Sequence, residues 1–301
     1  LNLCIHLYNA PMKKPAQIIT RFAPSPTGLL HLGHAFSAKT AFDFAHDHDG
    51  IFLLRIEDID PVRCKPEFEE SIKQDLKWLG LTWAEPARRQ SNHMDDYQAA
   101  LDKLDDMGLL YPCFCTRKEI LQEVAESGYA PHGPEGVLYP GTCKNLSPAE
   151  REDRIKSGVP YALRLDMQKA LTCISAPLFW QNQSSETTDV ENIAATPEIL
   201  GDVVLARKDI RTSYHLSVCV DDHLQSVSHV IRGQDLYYAT HLHCLLQDLL
   251  GYARPIYLHH QLLLDEKGEK FSKRNQSVTL KHFRENSFEP KKMFKKAKPM
   301  Q

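Results

Sequence analysis

Residues 21–36 read RFAPSPTGLLHLGHAF. Two prolines, two glycines and two histidines three residues apart sit between an apolar run at 18–22 and a stretch with helical spacing. From Leu32 the apolar residues Ala35, Phe36, Ala38, Phe42 and Ala45 recur at helical intervals, and Asp49-Gly50 supplies the stop. Ile51–Ile56, IFLLRI, is then a continuous apolar run with the character of a strand buried on both faces. Strand, helix and strand in this order predict a right-handed βαβ unit, and with it an α/β fold on a Rossmann-type parallel sheet.

The rest of the chain fits around that unit. Of 301 residues, 42% are hydrophobic and 25% charged, which suits a globular protein with a sizeable core. No run approaches the roughly 18 apolar residues of a membrane span, and the N-terminus lacks the basic start and apolar core of a signal peptide. These features predict a cytoplasmic protein without membrane contact, whose eight cysteines serve as thiols or metal ligands rather than disulfides. A net charge of −3 excludes a global basic signature, so any polyanion must be met by a local patch. Helices are expected around 67–79 and 94–107. Residues 111–148, rich in Cys, Gly, Pro and Tyr, suit a small loop-rich insert, and 181–197 a polar connector. Strands are expected at 214–220, 227–231 and 256–264, and a helix at 235–250 that buries Leu236, Ala239, Leu242, Leu246 and Leu249. The resulting organisation is an extension at 1–15, of which 1–11 precede Met12, and the first half of the main α/β domain at 16–110. An inserted module at 111–205, a second half at 206–265, and a loop with a basic tail at 266–301 complete it.

In an open parallel sheet, ligands bind beyond the carboxyl ends of the strands, against helix N-termini whose free N–H groups and dipole favour anions. His31 and His34 stand at the first turn of such a helix and share a face, so their ring N–H groups can hold phosphate oxygens. Gly33 between them leaves room for a flat ring such as adenine. An isolated HxGH also fits a plain helix entry with surface histidines. KFSKR at 270–274, in a polar loop after the last expected strand, places Lys270 and Lys273 where they could neutralise a leaving pyrophosphate. Alone it would read as a solvated charge run.

Together and in this order, HLGH and KFSKR resemble the paired signatures of class I aminoacyl-tRNA synthetases. RFAPSPTG is similar to the glutamyl branch, because the glutaminyl branch carries a Pro and a Glu where Ala23 and Ser25 stand. LRIEDID (54–60), YHLSVCVDDHLQ (214–225) and VIRGQDL (230–236) also look like glutamyl-type segments. The resemblance covers roughly residues 20–285, and KFSKR departs from the common KLSKR by one apolar exchange.

That resemblance implies L-glutamate and ATP, with Mg²⁺ on the phosphates, as ligands, and an adenylate-forming ligase as the activity. Free glutamate offers two carboxylates and one ammonium, so it needs two cationic clamps and an acceptor. Arg21 and Arg232 are the expected clamps, and which carboxylate each takes stays open. Glu57 is the expected acceptor, helped by Tyr214, Ser25 and Ala23. Pro24, His31, Gly33, His34 and Lys273 are expected on the ATP side. A carboxylate is already ionised at neutral pH, so no general base is required. Each pairing also has a structural alternative, since Arg–Glu pairs are common and a tyrosine before VDD could belong to the core.

The insert carries a second constellation. Cys113, Cys115 and Cys143 offer three thiolates, a donor set that selects zinc, and a structural site wants a fourth ligand. His132 is the chemically conventional candidate; the resemblance implies Tyr139, through a C-x-C…Y-x3-C pattern. Too few residues follow Arg274 for the helical anticodon-binding domains of a full glutamyl-tRNA synthetase. A catalytic domain standing alone resembles the glutamyl-Q tRNA(Asp) synthetase family, which implies transfer of glutamate to queuosine at the wobble position of tRNA(Asp) by a monomer. The other readings are the catalytic part of a glutamyl-tRNA synthetase and a non-catalytic tRNA-binding paralogue. The five lysines of 291–298 could touch phosphates or form a solvated tail.

Overall fold

The computed structural model describes residues 17–126, 132–134, 136–184, 189–264, 278–290 and 298–299. The chain opens with the expected unit: β1 (Ile19–Phe22), α1 (Leu32–Asp47) and β2 (Ile51–Ile56), with β1 and β2 parallel. α1 lies close on the sheet because its inner face is alanine at 35, 38, 41 and 45, all buried. Gly50 is required where the chain turns back into β2, since a Cβ there would stand 2.6 Å from the Ile18 carbonyl oxygen. α2 (Pro66–Trp78), β3 (Ala84–Arg89) and α3 (Met94–Asp106) follow, β3 parallel to β2.

Next come β4 (Leu110–Cys113), α4 (Arg117–Glu126), the short β5 (His132–Gly133) and β6 (Gly136–Val137), α5 (Pro148–Lys156), β7 (Ala162–Leu165), α6 (Met167–Thr172), β8 (Phe179–Gln183), β9 (Val190–Ala194) and β10 (Val204–Ala206). The chain then runs through α7 (Tyr214–Leu224), β11 (His229–Gly233), α8 (Ala239–Leu250), β12 (Ile256–His260), β13 (Leu263–Leu264) and α9 (Leu280–Glu285). β4, β7 and β10 form a separate antiparallel sheet. β11, β12 and β8 are parallel, with β9 antiparallel at the edge.

The two parallel sheets meet at β1 and β11. The Ile19 N–H donates to Ser228 Oγ at 2.7 Å, and the Ser228 N–H donates to the Ile19 carbonyl at 3.0 Å. The spatial order is therefore β3-β2-β1-β11-β12-β8-β9, with the chain's two halves meeting in the middle. That seam is where an open α/β sheet forms its crevice. Side chains alternate across it: Ile231 and Leu258 enter the core with α1, while Val230 and Tyr257 enter the core with α3, α7 and α8.

Four expectations are corrected. Residues 214–220 are not a strand but the start of α7, whose residues from Leu216 to Asp222 are all buried. A helix buried on every side has no polar stripe, so its apolar run imitates a strand. Residues 181–197 are not a simple connector: β8 and β9 form a hairpin in the sheet, anchored by buried Trp180, and the exposed edge strand β9 accounts for the polar composition. α8 begins at Ala239 rather than Asp235, and Leu236 sits half-buried in a preceding 3-10 turn instead of the helix core. The last expected strand is split into β12 and β13.

Candidate active site

A cavity of about 560 Å³ opens beyond the carboxyl ends of β1, β2, β11 and β12. Arg21, Ala23, Pro24, Ser25, His31, Gly33, His34, Glu57, Tyr214 and Arg232 all line it, together with Phe36, Ser37, Gly233, Asp235, Leu236 and His260. Sequence positions more than 200 residues apart thus share one wall. Lys270 and Lys273 lie outside the described residues. The described residues on either side of that segment are at the cavity: Leu263 lines it, and Thr279 bridges to His31.

One end is a buried charge cluster. Arg21 donates from Nε to Asp222 Oδ1 at 3.1 Å, both side chains being buried. Behind it Arg55 is fully buried, donating to Asp222 at 2.8 Å and Gln225 at 3.1 Å and reaching Glu57 at 3.5 Å. Asp221 is held by Arg88, Gln90 and the Tyr97 hydroxyl, at 2.7 to 3.1 Å. Burial works against ionisation of Asp222, but Arg21 and Arg55 outweigh it and hold the carboxyl below its usual range. Glu57 differs. Burial dominates over the pull of Arg55 and Arg21, and its pKa is pushed up to about 7. A cation placed beside Glu57 would reverse that shift. Tyr214 is also raised by burial, and its hydroxyl accepts from Arg232 at 3.4 Å.

The other end is the N-terminus of α1. The His31 N–H donates to His34 Nδ1 at 3.2 Å, and the two rings lie 3.7 Å apart. With Nδ1 accepting, a neutral His34 carries its proton on Nε2, which makes that atom a donor. Ser37, one turn on, is 2.6 Å from His260 Nε2, while His260 Nδ1 is 2.9 Å from the Gln261 carbonyl. That pair ties α1 to β12. The Leu280 N–H donates to the Leu30 carbonyl at 2.8 Å, so α9 clips the loop from behind. A site with cations and a carboxylate at one end and helix-terminal donors at the other can hold a zwitterion beside a polyphosphate.

Comparison with known proteins gives the same direction. The family model described as tRNA synthetases class I (E and Q), catalytic domain, matches residues 17–298. The chain belongs to this family. It is 45% identical to the glutamyl-Q tRNA(Asp) synthetase of Rhodobacter capsulatus, over 91% of this chain and 97% of that protein. It is 39% identical to the glutamate–tRNA ligase of a Hydrogenobaculum species, over 91% of this chain and 56% of that protein. A glutamate tRNA ligase of Elizabethkingia meningosepticum, solved in complex with its amino acid, aligns with a TM-score of 0.72 at 27% identity, covering 92% of this chain and 59% of that one. The chain therefore spans nearly all of the first relative and little more than half of the two ligases. Among the described residues no helix is long and apolar enough to cross a membrane.

This family member also gathers the three predicted thiols. The ligand atoms of Cys113, Cys115 and Cys143 all lie within 4.8 Å of one another, and the Cys115 and Cys143 sulfurs are 3.4 Å apart. Tyr139 completes the group, its hydroxyl 3.7 Å from the Cys115 sulfur and accepting the Cys143 N–H at 2.7 Å. Sulfurs bound at about 2.3 Å to one tetrahedral ion have the same spread, so the donor set fits zinc. Burial raises the Tyr139 phenol well above its ordinary range, a shift that a bound cation opposes. The Arg164 guanidinium stacks 3.9 Å from the Tyr139 ring centroid. His132 contributes its backbone to β5, and its side chain lies outside the described part.

Sequence reasoning missed Arg55, Asp221 and Asp222. A signal was present: an arginine inside IFLLRI and two aspartates ending YHLSVCV are charges in buried runs, which demand partners.

Proposed function

We propose that the chain activates L-glutamate with ATP, without tRNA, and transfers the glutamyl group to queuosine of tRNA(Asp). The observation that carries this reading is the single cavity that joins Arg21, Glu57, Tyr214 and Arg232 to the histidine-tipped start of α1. The cationic end suits the two carboxylates of glutamate, and Glu57 suits its ammonium. The glutamate α-carboxylate oxygen forms a bond to the α-phosphorus of ATP, and the bond from that phosphorus to pyrophosphate breaks. His34, His31 and the α1 N–H groups hold phosphate oxygens; the sequence motif adds Lys270 and Lys273. Mg²⁺ bound with ATP supplies charge neutralisation on the phosphates. Catalysis is then positioning and electrostatics.

The acceptor assignment draws support from the likeness to the Rhodobacter capsulatus glutamyl-Q tRNA(Asp) synthetase across 97% of its length. A cis-diol hydroxyl of queuosine attacks the acyl carbon and releases AMP. We assign Cys113, Cys115, Tyr139 and Cys143 to one structural zinc ion that shapes the small module. The test is incubation with labelled glutamate, ATP and tRNA(Asp) carrying or lacking queuosine. Label is expected only on the queuosine form. Equal labelling of both forms would place the chain with the ordinary glutamate–tRNA ligases.

A further inference from the structure

The two cavity arginines have opposite surroundings. Arg21 is paired with Asp222, but among the described residues no carboxylate lies within ion-pair distance of Arg232. Arg232 is buried, and each of its donor atoms meets a neutral acceptor. Nε donates to His259 Nε2 at 3.3 Å; one terminal nitrogen faces Tyr214 Oη at 3.4 Å and His243 Nδ1 at 3.3 Å. The other donates to the Leu236 carbonyl at 3.1 Å and to Thr240 Oγ1 at 2.6 Å.

The imidazoles are fixed in accepting tautomers by a second layer. His243 uses Nδ1 toward Arg232, so its Nε2 proton points to His215 Nδ1, 3.2 Å away. His259 uses Nε2 toward Arg232, so its Nδ1 proton points to Asn182 Oδ1, also at 3.2 Å. Burial, reinforced by the Arg232 charge, lowers His215 to about 4 and His259 to about 2, and takes His243 well below its ordinary value. All three rings are neutral at physiological pH. A buried guanidinium without a counter-ion is expensive, and its surroundings here satisfy hydrogen bonds without cancelling charge. The longest bond, to Tyr214, involves two residues of the cavity wall, so that terminal nitrogen is the one an entering carboxylate can take over.

We infer that His243, His259 and Thr240 are positioning residues that hold Arg232 in a neutral cradle, keeping its charge uncompensated until a carboxylate of the amino-acid substrate enters. The cradle selects an anionic amino acid by reserving an unmatched positive charge for it inside the protein. This rests on the glutamate reading of the cavity. It adds that the specificity is set by residues of α8 and β12 that need not touch the substrate.

The test uses isosteric pairs that differ only in charge: His243→Asn with His243→Asp, and His259→Asn with His259→Asp. Glutamate-dependent ATP–pyrophosphate exchange gives KM for glutamate and for ATP, and a thermal midpoint monitors folding. The Asn variants are expected to stay within about fivefold of the parent KM for glutamate. The Asp variants should raise it on the order of a hundredfold, the scale of a charge pair a few ångströms apart in protein, with KM for ATP unchanged. If the His243→Asp protein does not fold, the pair at position 259 decides. Equal impairment of Asn and Asp variants, or no effect of Asp, overturns the cradle while leaving the glutamate site intact. A parent enzyme with no glutamate-dependent exchange overturns both.

Discussion

Glu57→Gln separates what the buried carboxyl does for binding from what it does to stability. Burial moves the Glu57 pKa from 4.5 to about 7. The folded state therefore binds more protons than the unfolded chain between those values, and stability falls as pH rises through that window. Above pH 7 both states are ionised and the full penalty applies, about 3 kcal/mol at 1.36 kcal/mol per unit. At pH 5 most of it is absent, so the stability gained by Gln over Glu should grow by roughly 2 kcal/mol between pH 5 and pH 8. Arg55 keeps Asp222 at 2.8 Å in the variant, so no buried cation is stranded. Urea unfolding at the two pH values reads the difference. Exchange activity should move the other way. Losing a charge-assisted bond to the substrate ammonium, worth about 1.5–3 kcal/mol, raises KM for glutamate roughly tenfold or more. A Gln–Glu stability difference that is independent of pH, or a Gln variant less stable than the parent at pH 8, would refute the reasoning.

The same shift makes glutamate binding release protons near neutral pH, and affinity should weaken about tenfold per unit below pH 7; calorimetry in two buffers of different ionisation enthalpy checks both. Arg55→Met takes one of the two arginines from Asp222 and the Arg55 ion pairs from Asp221 and Glu57, and should destabilise the fold by about 3 kcal/mol, measured by denaturant unfolding. His34→Ala removes a phosphate donor and is expected to lower kcat for exchange about a hundredfold, with KM for glutamate nearly unchanged. Metal analysis should find about one zinc per chain, and Cys143→Ser should lose it together with several degrees of thermal midpoint.

Much of the site was legible because its chemistry is concentrated in short, ordered segments. Arg21, His31 and His34 belong to one strand–loop–helix unit whose periodicity is visible residue by residue, and Glu57 follows the next strand directly. α7 was not legible, because a helix enclosed by α3, α8 and the sheet shows no amphipathic contrast along 214–220. The β8–β9 hairpin was hidden for the opposite reason: its exposed edge is polar, and only Trp180 marks a buried strand. The charge cluster of Arg55, Asp221 and Asp222 and the cradle of Arg232 depend on pairings more than 100 residues apart, or between neutral histidines scattered over α7, α8 and β12. Spacing in sequence says nothing about such contacts. Arg232 itself could be picked out, but not that no carboxylate among the described residues stands beside it.

The central claim is that one cavity brings an anionic amino acid and ATP together for adenylate formation. Its most direct measurement is ATP–pyrophosphate exchange in the absence of tRNA, with L-glutamate, L-glutamine and L-aspartate compared at matched concentrations. Exchange driven by glutamate, and by neither of the others to a comparable degree, is the predicted result. No exchange with glutamate, or equal exchange with glutamine, would contradict it.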